Sequence, residues 1–258
     1  MKNLLFGLGC MLALLTISCN KKDEPSVPAK KNAAVTVRLT DGPAAYEAVN
    51  IDVRQVEIQH ETQGTIILTP VQAGVYNLLD FRNGVDMLLC QADIPPGKIS
   101  QIRLILGNNN SVKIKGVSYP LETPSAEQSG LKLNLQHELE ANMAYTLWID
   151  MDAAKSIVKT GSGKYQLKPT GHAYTAHTDG RIKGSVIPLQ PGTMVYAING
   201  TDTYSAIPSS AGFFMFCGLP EGKYKIRVEA DFATAIEEKD VLVRFGAVTD
   251  LGILSLLP

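Results

Sequence analysis

The chain has 258 residues and an almost balanced charge, with 24 Lys and Arg against 25 Asp and Glu. Apolar residues make up 45% of it, which is too high for intrinsic disorder. The balanced charge provides no basic surface for nucleic acid, and the 22 Gly and 14 Pro follow no fixed period, which excludes collagen. At about 100–150 residues per domain, the length predicts about two domains.

The N-terminus has the pattern of a bacterial signal peptide. Lys2 precedes an apolar stretch, residues 4–17, that is too short to span a membrane, since a spanning helix needs about 20 apolar residues. The stretch ends in Leu15-Thr16-Ile17-Ser18-Cys19, which resembles a lipobox. The resemblance implies that residues 1–18 are removed and that Cys19 becomes a lipidated, palmitate-bearing N-terminus. An ordinary secretory signal with a chance cysteine is the alternative.

A charged segment and a tether follow the lipobox. Lys21, Lys22, Asp23 and Glu24 resemble the short export tag of bacteroidete-type surface lipoproteins. The resemblance implies a lipid-anchored protein of the outer membrane, displayed on the cell surface. In the alternative, these charges only begin a solvated tether and the protein faces the periplasm. We expect residues 19–32 to hold the folded part away from the membrane.

Alternating polar and apolar residues predict that the rest of the chain is made of strands. The alternation begins at Val35 and is typical of strands with one buried face. It slips by one residue at Arg54-Gln55, where we expect a β-bulge. Further strands are predicted at Thr65–Leu68, Ile102–Leu106, Val112–Ile114, Leu131–Leu135 and Tyr145–Met151.

Three segments interrupt this pattern. Residues 77–91 fit neither period cleanly, and residues 152–159 are consistent with a short helix capped by Asp152. The turn-rich residues 171–180 predict a polar linker and a domain boundary. Strands are predicted to restart after it, at Ile182–Ile187, Thr193–Ile198, Phe213–Cys217, Lys223–Ala230, Val241–Phe245 and Leu251–Leu254.

Two family resemblances cover most of the chain. Residues 180–258 resemble the carboxypeptidase regulatory-like, transthyretin-like sandwich family, in runs such as Gly218-Leu219-Pro220-Glu221-Gly222. Residues 33–176 resemble an uncharacterised family of bacterial surface lipoproteins, in runs such as Val37-Arg38-Leu39-Thr40-Asp41-Gly42-Pro43.

The resemblances imply an all-β protein with two consecutive β-sandwich domains of Ig-like or prealbumin-like type. Residues 33–176 are expected to form an N-terminal domain of unknown function, and residues 177–258 a carboxypeptidase regulatory-like domain with a carbohydrate-binding-like fold. In that family the module is an accessory domain, so neither resemblance implies catalytic residues.

Acidic residues provide one candidate metal site. Asp150 and Asp152 lie on one face at a strand end, and with Asp179 and Asn108–Asn110 they supply the oxygen ligands that Ca²⁺ prefers. However, the sequence has no dense acidic loop, and Asp152 is also explained as a helix cap. We therefore expect no bound metal.

Histidines and nucleophile motifs give no catalytic prediction. His172 and His177 lie five residues apart, whereas a zinc site needs three or four convergent ligands. We interpret them as part of a polar linker strand between the domains, and His60 and His137 are isolated. No Gly-x-Ser-x-Gly motif and no phosphate-binding glycine loop is present in the sequence, so we predict a protein without enzymatic activity or cofactor.

The remaining candidates are two cysteines and two aromatic residues. Cys90 and Cys217 each lie in an apolar run, which favours buried thiols over a disulfide between the domains. Trp148 and Tyr204 are the candidate ligand contacts, because sugars stack on exposed rings. Core packing of Trp148 is the alternative, and the loop Asn199–Ser210 that carries Tyr204 is either a binding tip or a hairpin.

These observations favour a lipid-anchored binding protein. We expect it to contact the membrane through its N-terminal lipid and to bind a glycan or a protein of the cell envelope. An adhesin-type or fimbria-like subunit that assembles through strand edges is the alternative.

Overall fold

The computed structural model describes residues 31–123, 130–231 and 236–256. The predicted signal peptide, Cys19 and the tag Lys21–Glu24 lie outside the described residues. None of the helices in these ranges has the length and apolarity that a membrane crossing requires.

The first part of the chain is built from strands and two short helices. The helices are a 3₁₀ helix, Leu78–Phe81, and α1, Ala153–Ser156. The strands are β1 Ala33–Asp41, β2 Ala48–His60, β3 Gly64–Leu68, β4 Gly74–Asn77, β5 Met87–Ile94, β6 Gly97–Leu106, β7 Ser111–Ile114, β8 Val117–Glu122, β9 Leu131–Leu139, β10 Ala144–Met151, β11 Ile157–Lys159, β12 Tyr165–Leu167 and β13 Gly171–Thr175.

These strands form two sheets around one hydrophobic core. A four-stranded sheet has the order β13-β10-β1-β5, and a nine-stranded sheet follows the path β11-β12-β8-β7-β2-β6-β9, with β3 and β4 paired to β2. Val35, Val37 and Leu39 of β1 point into the core and are at most 1% exposed. This alternation leaves the other side of the four-stranded sheet, its outer face, to polar and aromatic residues.

The second part of the chain forms a smaller pair of sheets. Its strands are β14 Gly180–Ile187, β15 Met194–Asn199, β16 Asp202–Ala206, β17 Phe213–Leu219, β18 Gly222–Glu229, β19 Ile236–Val243 and β20 Val248–Ser255. The sheets have the orders β17-β14-β20 and β16-β15-β18-β19, and they enclose a second core that includes Phe214, Tyr224 and Ile226. The predicted all-β fold class is confirmed.

The bulge predicted in β2 is confirmed, and the helix expected over residues 152–159 needs correction. The β2–β6 register shifts between Val53 and Gln55, where one residue of β2 is left unpaired. The ambiguous residues 77–91 divide into the 3₁₀ helix and β5. The helix expected over residues 152–159 ends at Ser156, because the β-branched residues that follow pair with β12 instead.

Two further segments are short strands. Residues 171–175, expected as a polar linker strand between the domains, form strand β13, which pairs with β10 and extends the four-stranded sheet. The loop Asn199–Ser210 includes strand β16, which pairs with β15, so its hairpin alternative is confirmed. A five-residue strand gives only a weak alternation signal, so the bounds of these two strands could not be predicted.

The two cores meet where β17 lies against the outer face of the four-stranded sheet. The Asn83 amide joins them directly: its Nδ2 donates to the Ile207 carbonyl at 3.1 Å, and its Oδ1 accepts from the Met215 N–H at 3.3 Å. At Gly218 the approach is so close that a Cβ would lie 2.5 Å from the Tyr174 ring. The contact therefore requires a residue without a side chain at position 218.

We predict that Gly218→Ala lowers the melting temperature more than Gly200→Ala does. Both glycines have a left-handed backbone, with φ of +67° and +60°, so both substitutions carry a conformational cost of about 1 kcal/mol. Only at position 218 does the added methyl group meet other atoms, which adds about 1–3 kcal/mol. Thermal unfolding measures both, and equal losses would contradict the close contact between the cores.

Candidate functional site

A partly enclosed pocket lies between the two cores and has a volume of about 170 Å³. The end of β1, the start of α1 and strand β13 line one side, and β16 and β17 line the other. We call it the inter-core pocket. Its volume suits a single small polar group, such as one sugar ring, rather than a large apolar ligand.

A row of three residues on the outer face of the four-stranded sheet forms the floor of this pocket. Thr40, Asp150 and His172 are cross-strand neighbours on β1, β10 and β13, and we call them the Asp150 row. The Asp150 Oδ2 atom lies 3.7 Å from His172 Nε2, which is too far for a hydrogen bond. His172 Nε2 is buried and has no hydrogen-bond partner in the described part of the chain.

Asp41 also belongs to the lining of the pocket, although its side chain continues the inward positions of β1. It is the last residue of β1 and is 5% exposed. Its Oδ1 accepts a hydrogen bond from the Ala153 N–H at 3.1 Å, which fixes the start of α1. Its Oδ2 is buried without a partner among the described residues. The Asp41 side chain thus connects the end of β1 to the start of α1.

The third carboxylate of the pocket is already neutralised. Asp152 caps α1, as predicted, with its Oδ1 accepting from the Lys155 N–H at 2.9 Å. Its Oδ2 forms an ion pair with Lys155 Nζ at 2.9 Å. Lys155 Nζ also donates to the Thr203 carbonyl at 3.4 Å, which connects α1 to the second core.

Burial changes the protonation chemistry of the pocket. It raises the pKa of Asp150 to about 8, and the carboxylates of Asp152 and Asp179 add to this shift. It also raises the pKa of Asp41 well above the usual range, with Asp150 adding to the effect. The pKa of His172 is lowered, chiefly by burial. The pocket therefore favours neutral side chains when it is empty.

Trp148 lies in a parallel row on the same sheet face, with Arg38 on β1 and Tyr174 on β13. Its indole N–H donates to Asp86 Oδ2 at 2.8 Å, and its ring stacks on Tyr174 with centroids 5.3 Å apart. The Arg181 guanidinium lies 5.8 Å from the ring centroid. Trp148 is thus engaged within the contact between the cores, and its proposed role in ligand binding stays a prediction.

Tyr204, the other predicted ligand contact, lines the inter-core pocket from β16. Its ring lies 6.5 Å from the His172 ring and is half-buried. Burial raises the pKa of its hydroxyl to about 12, so this group is a neutral hydrogen-bond donor at physiological pH. The structure therefore places Tyr204, unlike Trp148, in the lining of the same pocket as Asp150 and His172.

Both cysteines of the described ranges are free thiols. Cys90 is buried in the first core, whereas Cys217 is half-buried on β17 and lines the pocket. Burial raises the pKa of each thiol to about 12. The expectation of separate, buried thiols is confirmed for Cys90, and neither thiol has the low pKa of a reactive nucleophile.

The structure brings together some of the predicted polar residues and separates others. Asp150, Asp152 and His172 share the pocket, whereas His177 stacks on His137 at 6.1 Å. Within residues 31–123, 130–231 and 236–256, no group of three or more His, Cys, Asp or Glu is placed to hold a metal ion. Asp179 instead accepts from the Gly218 N–H at 2.7 Å and pairs with Arg181.

Sequence reasoning missed Asp41 as a pocket residue, although a signal was present. Asp41 continues the inward positions of Val35, Val37 and Leu39 in β1. An acidic residue in an inward position is unusual, because burying a carboxylate is costly. Because Asp41 begins an Asp-Gly-Pro run that is typical of a turn, its inward position in β1 is not evident from the sequence.

Comparison with known proteins identifies the family of the first part of the chain. Residues 32–169, about half of the chain, match the family described as Domain of unknown function (DUF4382). The chain belongs to the DUF4382 family. The match ends within the segment between β12 and β13, and it includes Asp41, Asp150 and Asp152 but not His172 or Tyr204. No curated protein matches the chain.

Solved structures show only distant similarity. The Bacillus anthracis TIE protein is 12% identical, with 88% of this chain and 34% of that one covered and a TM-score of 0.23. A leucine-rich repeat protein from Bacteroides thetaiotaomicron is also 12% identical, with 88% and 26% covered and a TM-score of 0.20. The Streptococcal ancillary pilin is 9% identical, with 87% and 70% covered and a TM-score of 0.23. This chain thus spans about a third of the first and about a quarter of the second, and scores this low carry no inference about its function.

We predict that Asp150→Asn stabilises this DUF4382 protein increasingly as the pH rises from 5 to 9. The raised pKa means that folded Asp150 keeps its proton at pH values where the unfolded chain has lost it, so wild-type stability falls over this range. Asparagine cannot ionise, so the variant avoids that loss. With about 1.4 kcal/mol per pKa unit and about 2–4 °C per kcal/mol, the melting temperature of the variant relative to wild type should rise by about 4 °C or more.

The exposed Asp93 provides the control for this measurement. Asp93→Asn removes a carboxylate at an exposed position, so we expect it to change the melting temperature little. If the effect of Asp150→Asn is equally independent of pH, Asp150 is not buried in the way described.

Proposed function

We propose that this protein is a non-enzymatic lipoprotein of the cell envelope that binds a glycan, with one sugar residue in the inter-core pocket. The observation that carries the proposal is the lining of that pocket, which combines polar side chains from both cores with the half-buried ring of Tyr204. Asp150 lies on its floor and forms no ion pair with a lysine or arginine among the described residues. Sugar hydroxyls can donate to carboxylates and either donate to or accept from an imidazole, so they complement Asp150 and His172.

The half-buried ring of Tyr204 adds a feature that favours a sugar. An aromatic ring with a neutral hydroxyl at the edge of a polar pocket offers both an apolar surface and a hydrogen-bond donor. The two cores each provide part of the lining, so a bound sugar would contact both. Residues 177–258, which resemble carboxypeptidase regulatory-like modules, would then complete a site that the DUF4382 segment begins.

The cell-envelope location rests on the sequence alone. The apolar stretch of residues 4–17, the lipobox-like run ending at Cys19 and the tag Lys21–Glu24 support a lipid anchor and surface display. A lipid on Cys19 and the following tether would hold the two cores outside the bilayer, with the pocket accessible to extracellular or cell-wall glycans.

We predict that Cys19→Ala abolishes lipidation and membrane attachment, whereas Cys10→Ala preserves both. Cys10 lies within the apolar stretch that is removed, so it is a matched control. Metabolic labelling with a palmitate analogue, followed by membrane fractionation, measures both properties. Protease treatment of intact cells then distinguishes surface display, in which the protein is degraded, from the periplasmic alternative. Continued labelling of Cys19→Ala would refute lipidation at this residue.

We predict that a glycan array finds ligands for the chain from Asn20 onward and that Tyr204→Phe weakens the binding several-fold. The substitution keeps the ring and removes one hydrogen bond, worth about 1 kcal/mol. Tyr196→Phe is the control, because Tyr196 does not line the pocket. Equal effects of the two substitutions would exclude the inter-core pocket as the site.

Size-exclusion chromatography of the same sample tests the alternative of assembly through strand edges. Strand β20 lies at the edge of its sheet, and Val248 and Ile253 on it are 49% and 68% exposed. An exposed apolar edge strand can pair with another chain. A monomer that binds glycans supports the first proposal, whereas polymers without glycan binding would favour assembly.

A further inference from the structure

We propose that the inter-core pocket binds the terminal residue of a glycan chain and excludes residues from the middle of a chain. This selectivity rests on the proposed glycan-binding function and names the part of the glycan that the pocket accepts. It follows from one juxtaposition: two bridges between the cores lie at opposite ends of the pocket wall that β16 forms. A pocket closed at both ends is reached only through its mouth.

The course of β16 along the pocket places the two bridges at opposite ends. Residues 204–206 line the pocket. Lys155 Nζ donates to the carbonyl of Thr203, just before this stretch, at 3.4 Å, and Asn83 Nδ2 donates to the carbonyl of Ile207, just after it, at 3.1 Å. At about 3.3 Å per residue in a strand, the two bridged positions are about 13 Å apart. That span leaves room for one sugar ring between the bridges, in agreement with the volume of about 170 Å³.

The bridge at Ile207 is anchored in both cores. Besides donating to the Ile207 carbonyl, the Asn83 amide accepts a hydrogen bond from the Met215 N–H of β17 at 3.3 Å. The loop that carries Asn83 is held to the pocket floor by Thr40, whose hydroxyl donates to the Phe81 carbonyl at 2.9 Å. Thr40 is itself buried. A glycan chain therefore cannot leave the pocket past Asn83 unless the cores separate.

The bridge at Thr203 closes the other end with a single side chain. Lys155 Nζ pairs with Asp152 at 2.9 Å, which holds the lysine over this end of the pocket. Helix α1, which carries Lys155, is fixed at its start by the hydrogen bond from the Ala153 N–H to Asp41 at 3.1 Å. Because one exposed lysine closes this end, one substitution can open it.

Closure at both ends decides which part of a glycan can enter the pocket. A residue within a chain is linked on two sides, and each linkage needs its own path out of the pocket. A terminal residue is linked on one side only, and the mouth of the pocket provides that single path. The hydroxyl groups that a terminal residue keeps free can then bind the polar floor at Asp150 and His172.

The test is isothermal titration calorimetry of the chain from Asn20 onward with sugars of different length. The probes are the methyl glycosides of glucose, mannose, galactose and N-acetylglucosamine, a linear hexasaccharide of each, and α-cyclodextrin, a ring of glucose residues without chain ends. For each sugar that binds, the hexasaccharide and the methyl glycoside should agree in affinity within about threefold, because only one residue enters the pocket. We expect no binding of α-cyclodextrin.

Lys155→Ala tests the closed end, and Lys168→Ala, at an exposed site outside the pocket lining, is its control. Removing the Lys155 side chain should let a second sugar residue extend past Thr203. The hexasaccharide should then bind about fivefold more tightly than the methyl glycoside, the effect of one added hydrogen bond. Lys168→Ala should keep the two affinities equal, and thermal unfolding establishes that each variant is folded.

The outcomes separate the selection of chain ends from glycan binding itself. A wild-type preference for a hexasaccharide of more than about threefold would overturn the selection of chain ends and leave glycan binding intact. Binding of α-cyclodextrin as tight as that of the linear glucose hexasaccharide would do the same. Equal behaviour of Lys155→Ala and Lys168→Ala would overturn the closure of the pocket at Thr203. The absence of a response to every probe would overturn the glycan-binding function on which the proposal rests.

Discussion

The contact between β17 and the outer face of the four-stranded sheet governs most of the properties of this protein. A sheet face with polar side chains usually faces water, and the alternation in β1 and β10 is typical of that arrangement. Here a second hydrophobic core covers the face instead. The close approach at Gly218 and the two hydrogen bonds of Asn83 hold the cores together. Polar residues that would be solvated in an isolated sheet are therefore buried.

This coverage has different consequences for the two rows of residues beneath it. In the Trp148 row, Asp86 satisfies both the indole and the Arg38 guanidinium, and Tyr174 stacks on the indole, so the covered groups have partners. In the Asp150 row the coverage is incomplete, and a pocket remains. Asp150 has no ion-pair partner among the described residues other than a poorly placed histidine, so the charge of Lys155 only partly offsets the effect of burial on its pKa. The same contact thus produces a packed interface at one position and an unsatisfied acidic pocket at the next.

Much of the fold follows from local sequence patterns, whereas the pocket does not. Alternation of polar and apolar residues over nine positions identifies β1. The slip in this alternation at Arg54-Gln55 identifies the bulge, because without an extra residue the apolar side chains that follow would point to solvent. The short strands β13 and β16 have too few residues for such a signal, and they are the elements that carry His172 and Tyr204. Asp41 and Tyr204 are far apart in sequence, and their proximity depends on how two separate cores pack.

The alternation of polar and apolar residues in β10 also explains why the sequence predicts Trp148 as a ligand contact. Its parity in β10 places it on the polar face with Thr146 and Asp150, which the structure confirms. Parity alone cannot show that another part of the chain covers this face. The covering strand, β17, alternates as a strand of its own core would, and its outward residues Met215 and Cys217 only acquire a second role when they meet the first core.

The most direct test of this covered sheet face is acrylamide quenching of tryptophan fluorescence, because Trp148 is the only tryptophan of the chain. With Arg181 and Tyr174 packed against the indole, the native protein should be quenched several-fold less than the protein unfolded in guanidinium chloride. A chain that ends at residue 176 lacks the covering strand, and its tryptophan should be quenched more strongly than that of the native protein. If native and shortened chains are quenched equally, the second core does not cover the sheet, and the inter-core pocket does not form as described.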